Sequence, residues 1–186
     1  VLDSLISGTP WILDVFDKYI SLREESLDAL ENARREIGVS REVLGVHFRG
    51  KEMRTAPNHP MPPSEQQMFR RIDDALANQG FERIYLVSEG LDYVESFIRR
   101  YGSRISVLDV SRSGPTNVYL EYPRPLHRYR LGLEVLVETH LLSECGGLIS
   151  GYSGVSEMAH VLSRGHYRYV DKVWNGRVKG GALGAK

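Results

Sequence analysis

The run VLGVHFRGKEMR, residues 43–54, gathers His47, Arg49, Lys51, Glu52 and Arg54 behind an apolar start. Read as a β-strand, its two-residue period puts Val43, Gly45, His47 and Arg49 on one face. A side that begins apolar then ends in an imidazole and a guanidinium. A guanidinium at a strand end can grip phosphate oxygens through two parallel hydrogen bonds. The same spacing also fits a surface ion pair between Arg49 and Glu52 with His47 as a hydrogen-bonded core residue. Taken alone, that plainer arrangement is the commoner of the two, and exposed pairs of this kind contribute little.

Two further segments carry residues of similar promise. In IYLVSEG, residues 84–90, an apolar run ends in Ser88 and Glu89 just before a helical pattern starting near Leu91. Glu89 could accept a hydrogen bond from a sugar hydroxyl, or either residue could cap the helix that follows. In LEVLVETHLLSECGGLISGYSGVSEMAHVL, residues 133–162, a helix, a strand, a turn and a helix follow in order. Gly151, Ser153 and Gly154 would let backbone N–H groups approach an anion at the start of the last helix. The plainer alternative is a tight turn with Ser153 as N-cap and Glu157 completing a related capping arrangement.

The turn Gly151-Tyr152-Ser153-Gly154-Val155 also nearly reproduces the nucleophile elbow of α/β-hydrolases. It fails at Val155, where glycine is expected. The order of partners fails as well, because Asp171 follows His160 and His166 instead of preceding the histidine. Serine hydrolysis stays as a minor alternative. The six histidines form no HExxH or other ligand spacing, so no catalytic metal is expected. Trp11 and Tyr19 fall at helical spacing, which favours packing over stacking on a ligand.

Composition narrows the class. With 41% hydrophobic and 26% charged residues, the 186-residue chain reads as one globular domain. Lys plus Arg and Asp plus Glu both number 24, so there is no field of one sign to attract nucleic acid or an anionic membrane. Any anion site must be built locally. No apolar run approaches the roughly 20 residues that span a bilayer. A single cysteine, Cys145, excludes an internal disulfide and fits a reducing, cytoplasmic setting. The start, VLDSLISGTPW, lacks both a signal-peptide pattern and an initiating methionine, which points to a chain whose beginning is missing.

The elements that must position these residues alternate. Helical spacing from Pro10 closes near Gly38 and precedes the first strand. Strand-like runs at 43–48, 83–87, 105–109, 148–150 and 167–170 are separated by helical patterns at 64–79, 91–101, 131–144 and 153–163. Such alternation predicts a Rossmann-like parallel sheet with helices on both faces. Proline-rich stretches at 54–63 and 111–129 read as long loops, the first directly after the strand that ends in Arg49. The expected organisation is a helical segment at 1–40 packed on a Rossmann-like domain at 41–175, with a flexible Gly-rich end at 176–186.

Taken together and in order, the three segments resemble the fucosyltransferases that use GDP-fucose: the nodulation, core α1,6 and protein O-fucosyltransferase group. VLGVHFRGKE resembles that group's His-x-Arg-x-x-Asp strand end, with His47 and Arg49 matching and Glu52 in place of the acid. IYLVSEG looks like the second motif, and VLVETHLLSECGGLISGYSGVSEMA the third, with Glu138 as its acid. The resemblance spans roughly residues 43–162 and implies the C-terminal, donor-binding half of a GT-B glycosyltransferase, with an N-terminal domain missing.

It further implies inverting transfer of fucose from GDP-fucose to a glycan or other hydroxyl acceptor, without a metal. Arg49 would hold the diphosphate and stabilise the leaving GDP, with Glu52 a candidate base. The turn Ser153, Gly154 and Val155 would contact phosphates, and Glu138 would accept from the guanine edge. His47, Gly50, Ser88 and Glu89 would line the remainder of the nucleotide-sugar site. A nucleotide-binding module without catalysis is the alternative.

Overall fold

The structure, a computed structural model, describes residues 10–49, 54–114, 120 and 122–179. The elements are α1 (Pro10–Tyr19), α2 (Glu24–Ile37), β1 (Val43–His47), α3 (Glu65–Asn78), β2 (Arg83–Val87), α4 (Leu91–Tyr101), a 3-10 turn (Gly102–Arg104), β3 (Ile105–Ser106), α5 (His127–Glu144), β4 (Gly147–Ser150), α6 (Gly154–Leu162) and β5 (Tyr169–Lys172). Strands pair in the order β3-β2-β1-β4-β5, and every pairing is parallel.

A central parallel strand is covered on both faces, so it must be apolar on both. All five residues of β1 are buried accordingly. Leu44, Val46 and Phe48 enter a core with Ile72 of α3 and Phe97 of α4. Val43, on the other face, joins Ile37 of α2, Leu141 of α5 and Ala159 of α6. The expected Rossmann-like sheet with helices on both faces is what the chain forms. Among the described residues, no helix is long and apolar enough to cross a membrane.

Local signals set several boundaries. Ser64 caps α3, accepting from Gln67 N at 3.2 Å while its own N–H donates to Gln67 Oε1 at 2.9 Å. Gly38, at φ 62°, ends α2 in the left-handed conformation. Other boundaries differ from the sequence expectation. The single helical stretch from Pro10 to Gly38 breaks at 20–23, where Arg23 is extended and Glu24 and Glu25 fill the first turn of α2. Of the two pieces, α2 packs on the sheet through Leu30, Ala33 and Ile37.

The third strand keeps only Ile105 and Ser106 of the expected five residues, because it lies at the sheet edge with one partner. The last strand sits two residues later than expected. Tyr167 turns its hydroxyl inward to donate to Leu142 O at 2.9 Å and does not join the ladder. Helix α5 begins at His127, inside the region expected to be loop.

Candidate functional site

The chain leaves β1 through α3 on one face of the sheet, and it leaves the adjacent β4 through α6 on the other. Where connections diverge like this, a crevice opens beyond the carboxyl ends of the two strands, and open α/β sheets bind ligands there. His47 and Arg49 end β1, and Ser150 leads into the turn Gly151, Tyr152 and Ser153. Two cavities meet at His47 and Arg49. The larger, of about 740 Å³, runs over Gly151 to Gly154 toward Glu157, Trp174, Arg177 and the prolines 60, 62 and 63. The smaller, of about 120 Å³, runs under Ser88 and Glu89 to Arg112, Glu134, Glu138 and Val155.

The wall opposite Gly151 comes from the loop at 54–63, which is laced to the chain after β5. Met61 N donates to Gly176 O at 2.8 Å, Asn58 N to Val178 O at 3.0 Å and Val178 N to His59 O at 2.9 Å. Pro63 then approaches Gly151 so closely that a Cβ there would lie 2.9 Å from its Cδ.

Arg49 is the cation shared by both cavities. It is about one-third exposed, and its Nε lies 3.0 Å from Glu89 Oε2. His47 is buried, and Ser153 Oγ stands 3.3 Å from its Nδ1. Burial, with the Arg49 charge adding to it, pulls His47 down to about 4, so the imidazole is neutral near pH 7. It can orient the turn but not serve there as a second cation. Ser153 caps α6, its Oγ accepting from Ser156 N at 3.1 Å, while Ser156 Oγ lies 3.0 Å from Gly151 O. The start of α6, at Ser153 and Gly154, therefore lines the cavity that Arg49 borders, with the Ser156 N–H already taken by the cap.

The hydrolase alternative loses its geometric basis here. Ser153 is extended, at φ −157° and ψ 159°, whereas a nucleophile elbow holds its serine on a strained turn. The imidazole that it meets is His47 of β1, not a histidine later in the chain.

In the smaller cavity, Glu138 and Arg112 form a pair at 3.5 Å with both side chains under 10% exposed. Arg112 also donates to Ser88 O and, at 2.7 Å, to Leu108 O. Glu138 Oε1 faces Arg112 only through that long contact and makes no closer hydrogen bond among the described residues, and Ser88 Oγ makes none there either. Burial outweighs the attraction of Arg112 and, with Glu134 nearby, pushes the Glu138 carboxyl up to about 7. Buried polar groups left without partners are costly, so a ligand edge that supplies them gains free energy on binding.

The structure thus brings together His47, Arg49, Ser88, Glu89, Glu138, Ser153, Gly154 and Val155 around one crevice. Gly50 and Glu52 lie outside the described residues. Arg112 was not legible, because it sits in a stretch with no period. Tyr152, Glu157, Trp174 and Arg177 also line the crevice without having been singled out for binding. Tyr152 and Glu157 are neighbours of the Ser153 turn, and that adjacency was the available signal. Among the described residues, no group of three or more His, Cys, Asp or Glu side chains is placed to hold a metal ion.

No family model matches the chain, and no curated protein matches it. Solved structures do. The fucosyltransferase NodZ from Bradyrhizobium superposes with a TM-score of 0.52 at 13% identity, over 81% of this chain and 44% of that one. POFUT1 in complex with GDP-fucose gives 0.51 at 10% identity, over 86% and 48%. Arabidopsis thaliana FUT1, as a mutant in complex with GDP, gives 0.53 at 13% identity, over 87% and 37%. The chain spans less than half the length of each of these proteins, and likeness at such identities is one of fold. The chain carries the α/β fold found in part of these GT-B fucosyltransferases.

Proposed function

We propose that this chain is the donor-binding half of a glycosyltransferase that takes fucose from GDP-fucose and passes it, with inversion, to an acceptor hydroxyl. The observation that carries this reading is the convergence of Arg49, the N-terminus of α6 and the buried Arg112–Glu138 pair on one crevice. Such a crevice has a phosphate pole and a base-reading pole. As the glycosidic bond to the diphosphate breaks, negative charge gathers on the departing oxygens. A fixed guanidinium and aligned N–H groups stabilise that charge without a metal. Glu138, as carboxylate, accepts from the N–H donors of the guanine edge, and neutral His47 holds the Ser153 turn in place. Glu52 stays a candidate base for the acceptor proton, to be supplied from outside the described residues.

Binding of the nucleotide without transfer is the second reading. It is favoured by one observation: Glu89 lies 3.0 Å from Arg49 and offsets part of its charge. Turnover of GDP-fucose by the intact protein would dispose of it.

The guanine-edge role makes a prediction of definite sign. A carboxyl with a pKa near 7 is mostly protonated at pH 6 and mostly ionised at pH 8. Since the acceptor form is the carboxylate, GDP affinity should rise about tenfold between those pH values. The phosphate ionisation of GDP itself affects every variant alike. The ratio of wild type to Glu138→Gln therefore isolates the effect: Glu138→Gln should bind more weakly at pH 8 and lose the tenfold rise. An identical pH profile in both proteins would show that Glu138 does not read the base.

A further inference from the structure

The far end of the larger cleft holds a group of residues that phosphate binding does not use. Trp174, which is 51% exposed, stands edge-to-face with Tyr152 at a ring-centroid distance of 5.0 Å. Trp174 follows β5, while Tyr152 belongs to the turn before α6, so two separate elements build one aromatic corner. Glu157, one turn into α6, lines the same cleft. Its Oε2 is held by Lys172 Nζ at 2.9 Å, with both side chains nearly buried, while its Oε1 is buried and has no hydrogen-bond partner among the described residues. Lys172 in turn lies 5.9 Å from the Tyr152 ring, and Arg177 lies 6.0 Å from the Trp174 ring.

A fixed carboxylate with one unused oxygen asks for a neutral donor such as a hydroxyl, because its charge is already met by Lys172. An exposed aromatic face beside it asks for a flat, largely C–H surface. One small molecule presents both at once: a pyranose ring, with hydroxyls on its rim and C–H bonds on its face. We propose that Tyr152, Trp174 and Glu157 form a pyranose-binding subsite in the larger cleft, beside the Arg49 and Ser153 pole. This deepens the glycosyltransferase reading and rests on it for the source of the sugar, which is either the glycosyl group of the donor or a residue of the acceptor.

The test uses the wild type, Trp174→Ala, Trp174→Phe and Glu157→Gln. Tryptophan fluorescence and calorimetry follow GDP, GDP-fucose, guanosine, and free L-fucose and D-mannose with and without saturating GDP. The subsite predicts that either GDP-fucose outbinds GDP by about tenfold, or free saccharide changes the fluorescence. Trp174→Ala, read by calorimetry because it removes the reporting fluorophore, and Glu157→Gln should abolish that sugar-dependent effect, with GDP affinity unchanged within about twofold. Trp174→Phe, which retains a ring and tests folding, should keep part of the preference. Free saccharide that GDP-fucose displaces identifies the donor's glycosyl group, and free saccharide that still binds when GDP-fucose is saturating identifies an acceptor residue. Sugar binding that is indifferent to both residues would overturn the subsite, as would no sugar response at all or quenching by guanosine in place of sugar. If GDP fails to bind, the nucleotide reading falls, yet the free-saccharide arm still decides this one.

Discussion

Arg49→Ala is expected to weaken GDP binding by about one hundredfold and to lower stability only modestly. Hydrogen bonds to charged groups contribute about 1.5 to 3 kcal/mol each, and every 1.4 kcal/mol is tenfold in affinity. Arg49 borders both cavities, and its neighbour His47 is held neutral by burial and cannot take over its charge. Stability should fall by about 1 to 2 kcal/mol, because the guanidinium is partly exposed but Glu89, only 15% exposed, loses the cation it pairs with. Arg49→Lys keeps the charge but loses the fork, so it should recover part of the affinity. A calorimetric titration of the three proteins checks this ordering. Equal affinities would mean that the phosphate pole lies elsewhere.

The other large effect concerns folding. Gly146 sits between α5 and β4, where the chain passes under the loop that precedes β1. A Cβ at Gly146 would lie 1.9 Å from Arg41 O and 2.7 Å from Arg41 C, both of them backbone atoms. No rotamer change relieves that clash. Gly146 N also donates to Val43 O at 2.9 Å, and its own O accepts from Arg168 N at 2.9 Å. The segment is tied on both sides and cannot move away. Gly146→Ala should therefore cost about 3 kcal/mol or more, lowering the melting temperature by roughly 10 °C for a chain of this size.

Gly132→Ala is the matching control. That residue is exposed within α5, and a Cβ there meets nothing within 4 Å. It should stabilise by about 0.5 to 1 kcal/mol through helix propensity alone. Melting curves of the two variants separate the steric argument from any general intolerance of alanine. A mild Gly146→Ala would show that the β4 entrance is looser than this geometry.

What the sequence showed and what it hid follow from how local each signal is. The apolar run ending in His47 and Arg49 was legible because a central parallel strand must be apolar, and polar residues at its end stand out. The turn at Ser153 was legible for a similar reason, since Gly and Ser between a strand and a helix carry their own capping chemistry. Arg112 was not, because only the fold places it. It lies in a stretch without periodicity, and its meaning comes from Ser88 O, Leu108 O and Glu138, which belong to other parts of the chain. Trp174 was hidden in the same way, since nothing around it in sequence shows that Tyr152 will stand against it. The break between α1 and α2 was written in Glu24 and Glu25, acids suited to a helix start, but the apolar spacing on either side ran through it.

The most direct test is calorimetric titration of the chain with GDP, UDP and ADP at pH 8, where Glu138 is ionised. A phosphate pole at Arg49 combined with a base-reading pole at Glu138 predicts that GDP binds at least tenfold more tightly than UDP or ADP. Equal binding of all three would leave an anion site without a base reader and would contradict the assignment of the smaller cavity to guanine. Tighter binding of UDP or ADP would contradict the GDP-sugar reading altogether.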